Sequence, residues 1–442
     1  MDSHQKLNHR QMAWIVGTIL IGGGIISLPH SLYGVARSDA WFSQLLPAAY
    51  SFFVAAVFVF LARRFPGKNI FAIFNDLFGN RIGGVANGLI LFYIWLILAR
   101  DLTGLYQIIR STLLPNTPVE MILLIFIAIL MQYGNSSIEV PARVVDLIFP
   151  LFISLLILLP FFLLNEMDFT LLEPVLTISP RSLANANFIT AGWYADVFVV
   201  GAFLHTLNVP KKLSASLRHG IALSGLFLTF LAAMNIAILG SGIAAKTIYP
   251  NFALIQQIHI TDFLDRLDIF VFSIWIPIYT LKIICFYLAF LHGLAGFTPK
   301  KDYQPLNKAA AWFLLVSTIP AFSGANELFA FANYSAVVIA LGLQIPLILM
   351  LLIAGKRRPP TRHLPDQAPD DSGGVSHKRF STKRWMRLTH LSLALAAAAV
   401  IIGNWLGKDW AFIGSTSGAV YLAAWILAAW TTYMEVASVR GH

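Results

Sequence analysis

Cysteine is almost missing from this 442-residue chain: Cys285 stands alone, which excludes an intramolecular disulfide. Charge is scarce as well. Charged residues make up 12% of the chain against 57% hydrophobic, and a mean hydropathy of +0.72 excludes a soluble multi-domain protein. The chain contains no Walker-type phosphate loop and no GxSxG elbow, and its histidines are scattered without metal-ligand spacing. Hydrolytic, nucleotide-binding and zinc chemistries are thereby set aside, so no enzyme activity, catalytic residue, metal or cofactor is expected. A cleavable leader is not expected either, because the first apolar segment is longer than a signal core and lacks a small-residue cleavage site.

What is present is apolar sequence in long runs. Twelve stretches are candidates for helices of about 20 residues that cross a bilayer: Gln11–Tyr33, Trp41–Leu61, Gly84–Arg110, Pro118–Gln132, Val144–Leu164, Ile189–Asn208, Leu217–Gly240, Leu267–Leu294, Ala309–Phe322, Phe329–Ile353, Leu388–Leu406 and Ala411–Tyr433. Most of the 31 Lys and Arg fall in connections on the N-terminal side. The positive-inside rule then puts both termini in the cytoplasm. The same cations account for the net charge of +10 as topology signals that meet anionic lipid, with no nucleic acid partner implied. The stretch Tyr249–Phe263 reads as a re-entrant or surface helix. One composition break, rich in Pro, Ser, Gly, Asp and basic residues, reads as a flexible linker. It divides the chain into a ten-span core at 1–355, a basic linker at 356–387 and a two-span tail at 388–442, the tail expected to be peripheral.

The first span carries Gly22, Gly23 and Gly24 in its middle. Each glycine costs about 1 kcal/mol of helix relative to alanine, so the span is expected to unwind there. Irregular backbone at membrane depth survives only where it lines a cavity or is buried in protein. The sixth span begins with Gly192, has Gly201 in its middle and ends at Pro210, Lys211 and Lys212, so it is expected to unwind near Val199–Phe203. Interrupted helices five spans apart point to inverted repeats with a binding site between them.

Charges inside the spans mark the same region, since a charge at the bilayer centre costs about 2.5 to 3.5 kcal/mol on insertion scales. Arg100 and Asp101 lie in the third span and Lys282 in the eighth. As neighbours, Arg100 and Asp101 are expected to point about 100° apart and not to share a face. Asp265, Asp268, Phe272, Trp275, Tyr279, Lys282 and Phe286 alternate at intervals of three and four, one stripe of a helix. That stripe is either an aromatic packing seam with Lys282 neutralised by an acid, or the wall of a central cavity. Glu139 and Arg143, at i and i+4, read as a structural ion pair.

These residues resemble the B subunit of GerA-type spore germinant receptors, a branch of the amino acid/polyamine/organocation transporter superfamily. The resemblance rests on GGGIISLP at Gly22–Pro29, RRFPGKNIFAIFNDLFGNRIGG at Arg63–Gly84, EVPARVVDLIFP at Glu139–Pro150 and YPNFALIQQIHITDFLDRLDIFVFSIWI at Tyr249–Ile276, followed by Lys282. They are spread over about two thirds of the chain. The resemblance implies an all-α membrane protein with a LeuT-type bundle of two inverted five-helix repeats, here with two added C-terminal helices. It implies a place in the spore inner membrane and a complex with an A-type membrane subunit and a C-type lipoprotein. There it would bind a small germinant, an amino acid or similar molecule, and signal germination. A proton-coupled amino acid transporter of the same fold is the alternative. On this reading Gly22, Gly23, Gly24 and Ile25 hold the ligand carboxylate, Val199, Val200 and Gly201 its ammonium, and Phe198, Phe203 and Trp275 its side chain. Arg100, Asp101, Tyr279 and Lys282 serve coupling and gating. In sodium-coupled members of this fold a cation ties the first span to the eighth, and Lys282 is expected to replace it by donating to the carbonyls of Thr18 or Ile21. The sixth span lacks the helix-breaking proline expected shortly after its middle.

Overall fold

The computed structural model describes residues 6–207, 209–258, 267–299, 302–359 and 382–440. Most of the expected linker (residues 360–381) lies outside the described residues, as do residues 259–266 at the end of the expected surface helix, Asp262 and Asp265 included. An apolar chain in lipid must satisfy its backbone polar groups internally, and the described chain does so with helices. In chain order they are α1 (His9–Ala36), α2 (Leu45–Arg64), α3 (Ile70–Thr112), α4 (Val119–Gly134), α5 (Glu139–Phe162), α6 (Pro180–Tyr194), α7 (Pro210–Lys246), α8 (Pro250–Ile255), α9 (Leu267–Ala295), α10 (Asn307–Thr318), α11 (Ala325–Ala330), α12 (Ala336–Lys356), α13 (Thr382–Leu406) and α14 (Ala411–Arg440). A π-helical turn, Phe331–Ser335, joins α11 to α12, making one long tenth span. Among the described residues nine segments are long and apolar enough to cross a membrane, one of them, Leu28–Arg64, running from the end of α1 through α2. The fourth and ninth expected spans are shorter than that, at 16 and 12 residues.

The first span does not unwind at its glycines. It runs as one helix through Gly22–Gly24, and its interruption is chemical and lies one turn on, at Pro29. Proline has no N–H, so the carbonyl four residues earlier loses its donor. That carbonyl is Ile25, and Asn251 at the start of α8 supplies the missing bond from Nδ2 at 2.7 Å. Asn251 is positioned in turn by Asn235 of α7, whose Nδ2 donates to Asn251 Oδ1 at 2.6 Å. The sixth span does change its winding, but earlier than expected: α6 ends at Tyr194 and the chain tightens into a 3-10 helix from Ala195 to Thr206. Long 3-10 runs are uncommon and often mark a functional hinge.

Backbone with positive φ appears inside two helices. Gly79 (φ 72°) bends α3 and Gly240 (φ 69°) bends α7, a conformation open to glycine at little cost. Between α1 and α2 the buried Asp39 accepts from the N–H groups of Leu176 (2.6 Å) and Ile178 (3.1 Å), tying down the segment before α6.

The tail helices are docked on the core. Trp425 of α14 is fully buried and occupies the notch left by Gly225 of α7, where a Cβ would collide with the indole. Tyr421 packs on Phe42, with ring centroids 4.8 Å apart. Arg218 of α7 donates to Glu435 of α14 at 3.0 Å and to the Met386 carbonyl of α13 at 3.3 Å. The tail thus covers one flank of the bundle and leaves the region around Gly23 untouched.

Candidate functional site

Four fully buried ionisable side chains meet at the crossing of α1, α3, the α6 end and α9. Arg100 Nε donates to Asp101 Oδ1 at 2.8 Å and Arg100 Nη2 to Asp196 Oδ2 at 2.7 Å. Lys282 Nζ donates to Asp196 Oδ2 at 2.7 Å and lies 2.9 Å from Asp101 Oδ2. The four are at most 1% exposed. Two cations and two anions alternate around a closed ring, so the charges cancel. Neutrality is what makes the burial tolerable, because an isolated ion in such a place costs several kcal/mol.

Aromatic rings wall this charge ring. The Arg100 guanidinium lies 3.9 Å over the Trp193 ring and Lys282 Nζ 5.0 Å from it, both cation–π distances. Tyr93 donates to the second Asp196 oxygen at 3.2 Å. Arg100 Nη1 has no hydrogen-bond partner among the described residues. The fourth wall is bare backbone: a Cβ on Gly23 would sit 2.5 Å from Lys282 Nζ and 2.8 Å from Trp193. Gly22 and Gly24 have ordinary contacts there, at 3.6 Å and 3.8 Å. Of the three glycines, Gly23 alone is required by a close approach.

The aromatic stripe on α9 faces inward as its spacing predicts. Phe272 and Trp275 meet edge to face at 5.6 Å, Trp275 stacks on Tyr279 at 5.5 Å, and Lys282 follows. About two turns along α9 from Lys282, the stripe borders an apolar cavity of about 50 Å³, with Ile25, Phe152, Phe252, Phe272 and Trp275 in its wall. Trp275 Nε1 is buried there without a partner among the described residues.

Several sequence expectations change in this arrangement. Lys282 does face α1, but its partners are the carboxylates of Asp101 and Asp196, not the carbonyls of Thr18 or Ile21. Arg100 and Asp101 are paired although their Cβ atoms diverge, because the arginine stem is long enough to fold back. Ile25 and Trp275 share the cavity wall, whereas Phe198, Val199, Val200, Gly201 and Phe203 are absent from it. They pack elsewhere: Phe198 against Phe58 (5.9 Å), a Gly201 Cβ 3.0 Å from Ile70, and Phe203 against His292 (5.9 Å). What the sixth span brings to the first is Trp193 and Asp196, neither singled out from sequence. A signal existed: Asp196 is a lone acid in the apolar run GWYADVFVVG, and the cost of an intramembrane charge marks it as it marks Lys282.

Glu139 and Arg143 are 3.7 Å apart, with Arg143 largely exposed, so the pair is a weak surface contact. The stronger tie at that end is Arg10 of α1, which forks Asp146 of α5 at 2.8 Å and 2.6 Å. Among the described residues no group of acids, histidines or cysteine is placed to hold a metal ion.

A family model described as spore germination protein matches residues 6–326. Curated relatives from Bacillus subtilis (strain 168) include spore germination protein A2, 25% identical over 81% of this chain and 98% of its own length. Spore germination protein B2 is 23% identical over 79% and 96%, and spore germination protein KB 22% over 80% and 96%. Among solved structures, Mhp1, a nucleobase-cation-symport-1 family transporter, in a closed conformation with bromovinylhydantoin bound, is similar with a TM-score of 0.58 at 14% identity, covering 97% of this chain and 93% of that one. The fold is therefore that of a LeuT-type transporter bundle, and the chain is a multi-pass membrane protein.

Proposed function

Because the chain belongs to the spore germination protein family, we propose that it is the ligand-binding membrane subunit of a spore nutrient-germinant receptor and takes an amino acid or similar small zwitterion at the charge ring. At the coarser level it is a germinant-sensing or transporter-like membrane protein and not an enzyme. The observation that carries the finer reading is the closed ring of Arg100, Asp101, Asp196 and Lys282 against Gly23. A zwitterion carries the same two charges as one cation and one anion of the ring. Its carboxylate replaces Asp101 or Asp196 on the cations, its ammonium replaces Lys282 on the carboxylates, and the apolar cavity beside Ile25 and Trp275 takes its side chain. The internal pairs hold the unliganded site neutral, and their opening is the event that the receptor signals. Germinant chemistry is not altered in this step.

The same reading places the protein in the spore inner membrane with both termini in the cytoplasm. It sits there beside an A-type membrane subunit and a C-type lipoprotein. A second reading, a proton-coupled amino acid transporter, draws on the same buried carboxylates as proton carriers. Uptake of labelled amino acids into proteoliposomes under a pH gradient separates the two, since only the transporter accumulates label.

Gly23 provides the test of the site. Gly23→Val pushes a side chain into Lys282 and Trp193 and is expected to abolish saturable binding of a labelled amino acid mixture while membrane levels stay at wild type. Gly24→Ala, with room for its Cβ, keeps binding. Unchanged binding in Gly23→Val would place the site elsewhere.

A further inference from the structure

On the flank where α13 lies beside the starts of α2 and α6, a cleft of about 570 Å³ runs between tail and core. Leu46, Leu183, Ala397 and Val400 line it, and Trp405 and Lys408 stand at one end. Its polar lining is already committed. Asn404 donates to the carbonyls of Leu176 and Ile178 at 3.2 Å and 2.9 Å, and Asn187 accepts from the Leu46 N–H and donates to Leu183. Along its length the cleft therefore offers a mostly apolar surface.

The ends differ in chemistry. Lys408 is exposed, as is Arg181, next to the lining residue Pro180. Neither has an ion-pair partner among the described residues, and the neighbouring exposed Asp409 still leaves the rim net cationic. Trp405 is 78% exposed and Trp410 67%, and tryptophan beside lysine is the composition of a membrane–water interface. From Ala397 to Leu406, where α13 ends just before Lys408, the helix rises about 14 Å at about 1.5 Å per residue. That is about half of a hydrocarbon core of about 30 Å, the depth of one leaflet.

We infer that this cleft holds one acyl chain of an anionic glycerophospholipid, with its phosphate against Lys408 and Arg181. The depth matches a lipid in a single leaflet, the lining matches its chain, and the two cations match its headgroup. The α13 wall lies beyond the family match, which ends at residue 326.

Trp405 lines the cleft and reports its occupant. Its emission is read as the difference between the wild-type chain and Trp405→Phe, in phosphatidylcholine bilayers doped with brominated-chain lipid. At equal low mole fraction, brominated phosphatidylglycerol is expected to quench Trp405 with about tenfold higher apparent affinity than brominated phosphatidylcholine, the order expected for two basic residues at a membrane surface. Arg181→Glu with Lys408→Glu, both surface changes, should remove the preference. Ala397→Phe, which fills the cleft, should reduce quenching by both lipids. Equal quenching by the two lipids in the wild-type chain overturns the anionic assignment. Absence of quenching by either means that another copy or protein covers the cleft, and overturns the inference outright.

Discussion

Lys282 Nζ and Arg100 Nη2 donate to the same oxygen, Oδ2 of Asp196, each at 2.7 Å. One carboxylate from the 3-10 segment of the sixth span thereby fastens the third span to the eighth. No other residue in the ring touches both cations through a single atom, so Asp196 is the position at which the ring is most vulnerable.

Asp196→Asn should therefore cost about 3 to 5 kcal/mol, the usual loss when one member of a buried ion pair is removed. Lys282→Met alone should cost a similar amount. The double variant restores the charge balance, so its loss should fall well below the sum. Thermal unfolding of the four proteins in detergent checks this cycle. Additive losses would mean that Asp196 and Lys282 act independently.

Ligand response should not need sodium, because the position facing the first span is held by the Lys282 ammonium. Binding of the labelled amino acid mixture is expected to be the same in sodium and choline buffers. Lys282→Met should lose binding in both. Binding by Lys282→Met that returns with added sodium would show a cation site behind the lysine.

Asn251→Ala removes the donor to the carbonyl that Pro29 leaves without one. A buried acceptor without a partner costs about 1 to 3 kcal/mol, and the melting temperature should fall accordingly. Pro29→Ala supplies a helix N–H to Ile25, so Asn251→Ala should be much milder in the Pro29→Ala background. Equal losses in both backgrounds would show that Asn251 serves another purpose.

Removing the tail strips Trp425 from its notch and Glu435 from Arg218, yet leaves every member of the charge ring in place. A chain ended after Arg358 is expected to insert and bind the amino acid mixture, with a lowered melting temperature. Arg218→Met, which removes the cation that loses its partner, should recover part of that loss. Failure to bind at normal membrane levels would show that the tail belongs to the site.

The class, the order of the helices and the inward stripe of α9 were legible along the chain. These are consequences of hydropathy and of periodicities of three and four, which are local and additive along the chain. The sequence also located the intramembrane charges Arg100, Asp101 and Lys282, because the cost of an ion in lipid is a property of the residue and its depth. The remaining features depend on packing between helices. Whether three glycines unwind a helix depends on what packs against them: around α1 the neighbours hold the helix intact, and Gly23 is used for the approach of Lys282 and Trp193. The break in the hydrogen-bond ladder came from Pro29, and only the position of Asn251 shows how it is repaired. Arg100 and Asp101, divergent on a helical wheel, pair because a low-dielectric interior makes their attraction outweigh the bending of a flexible arginine stem. Which acid meets Lys282 is a matter of three-dimensional proximity between residues 86 positions apart, and no spacing rule reaches across that distance.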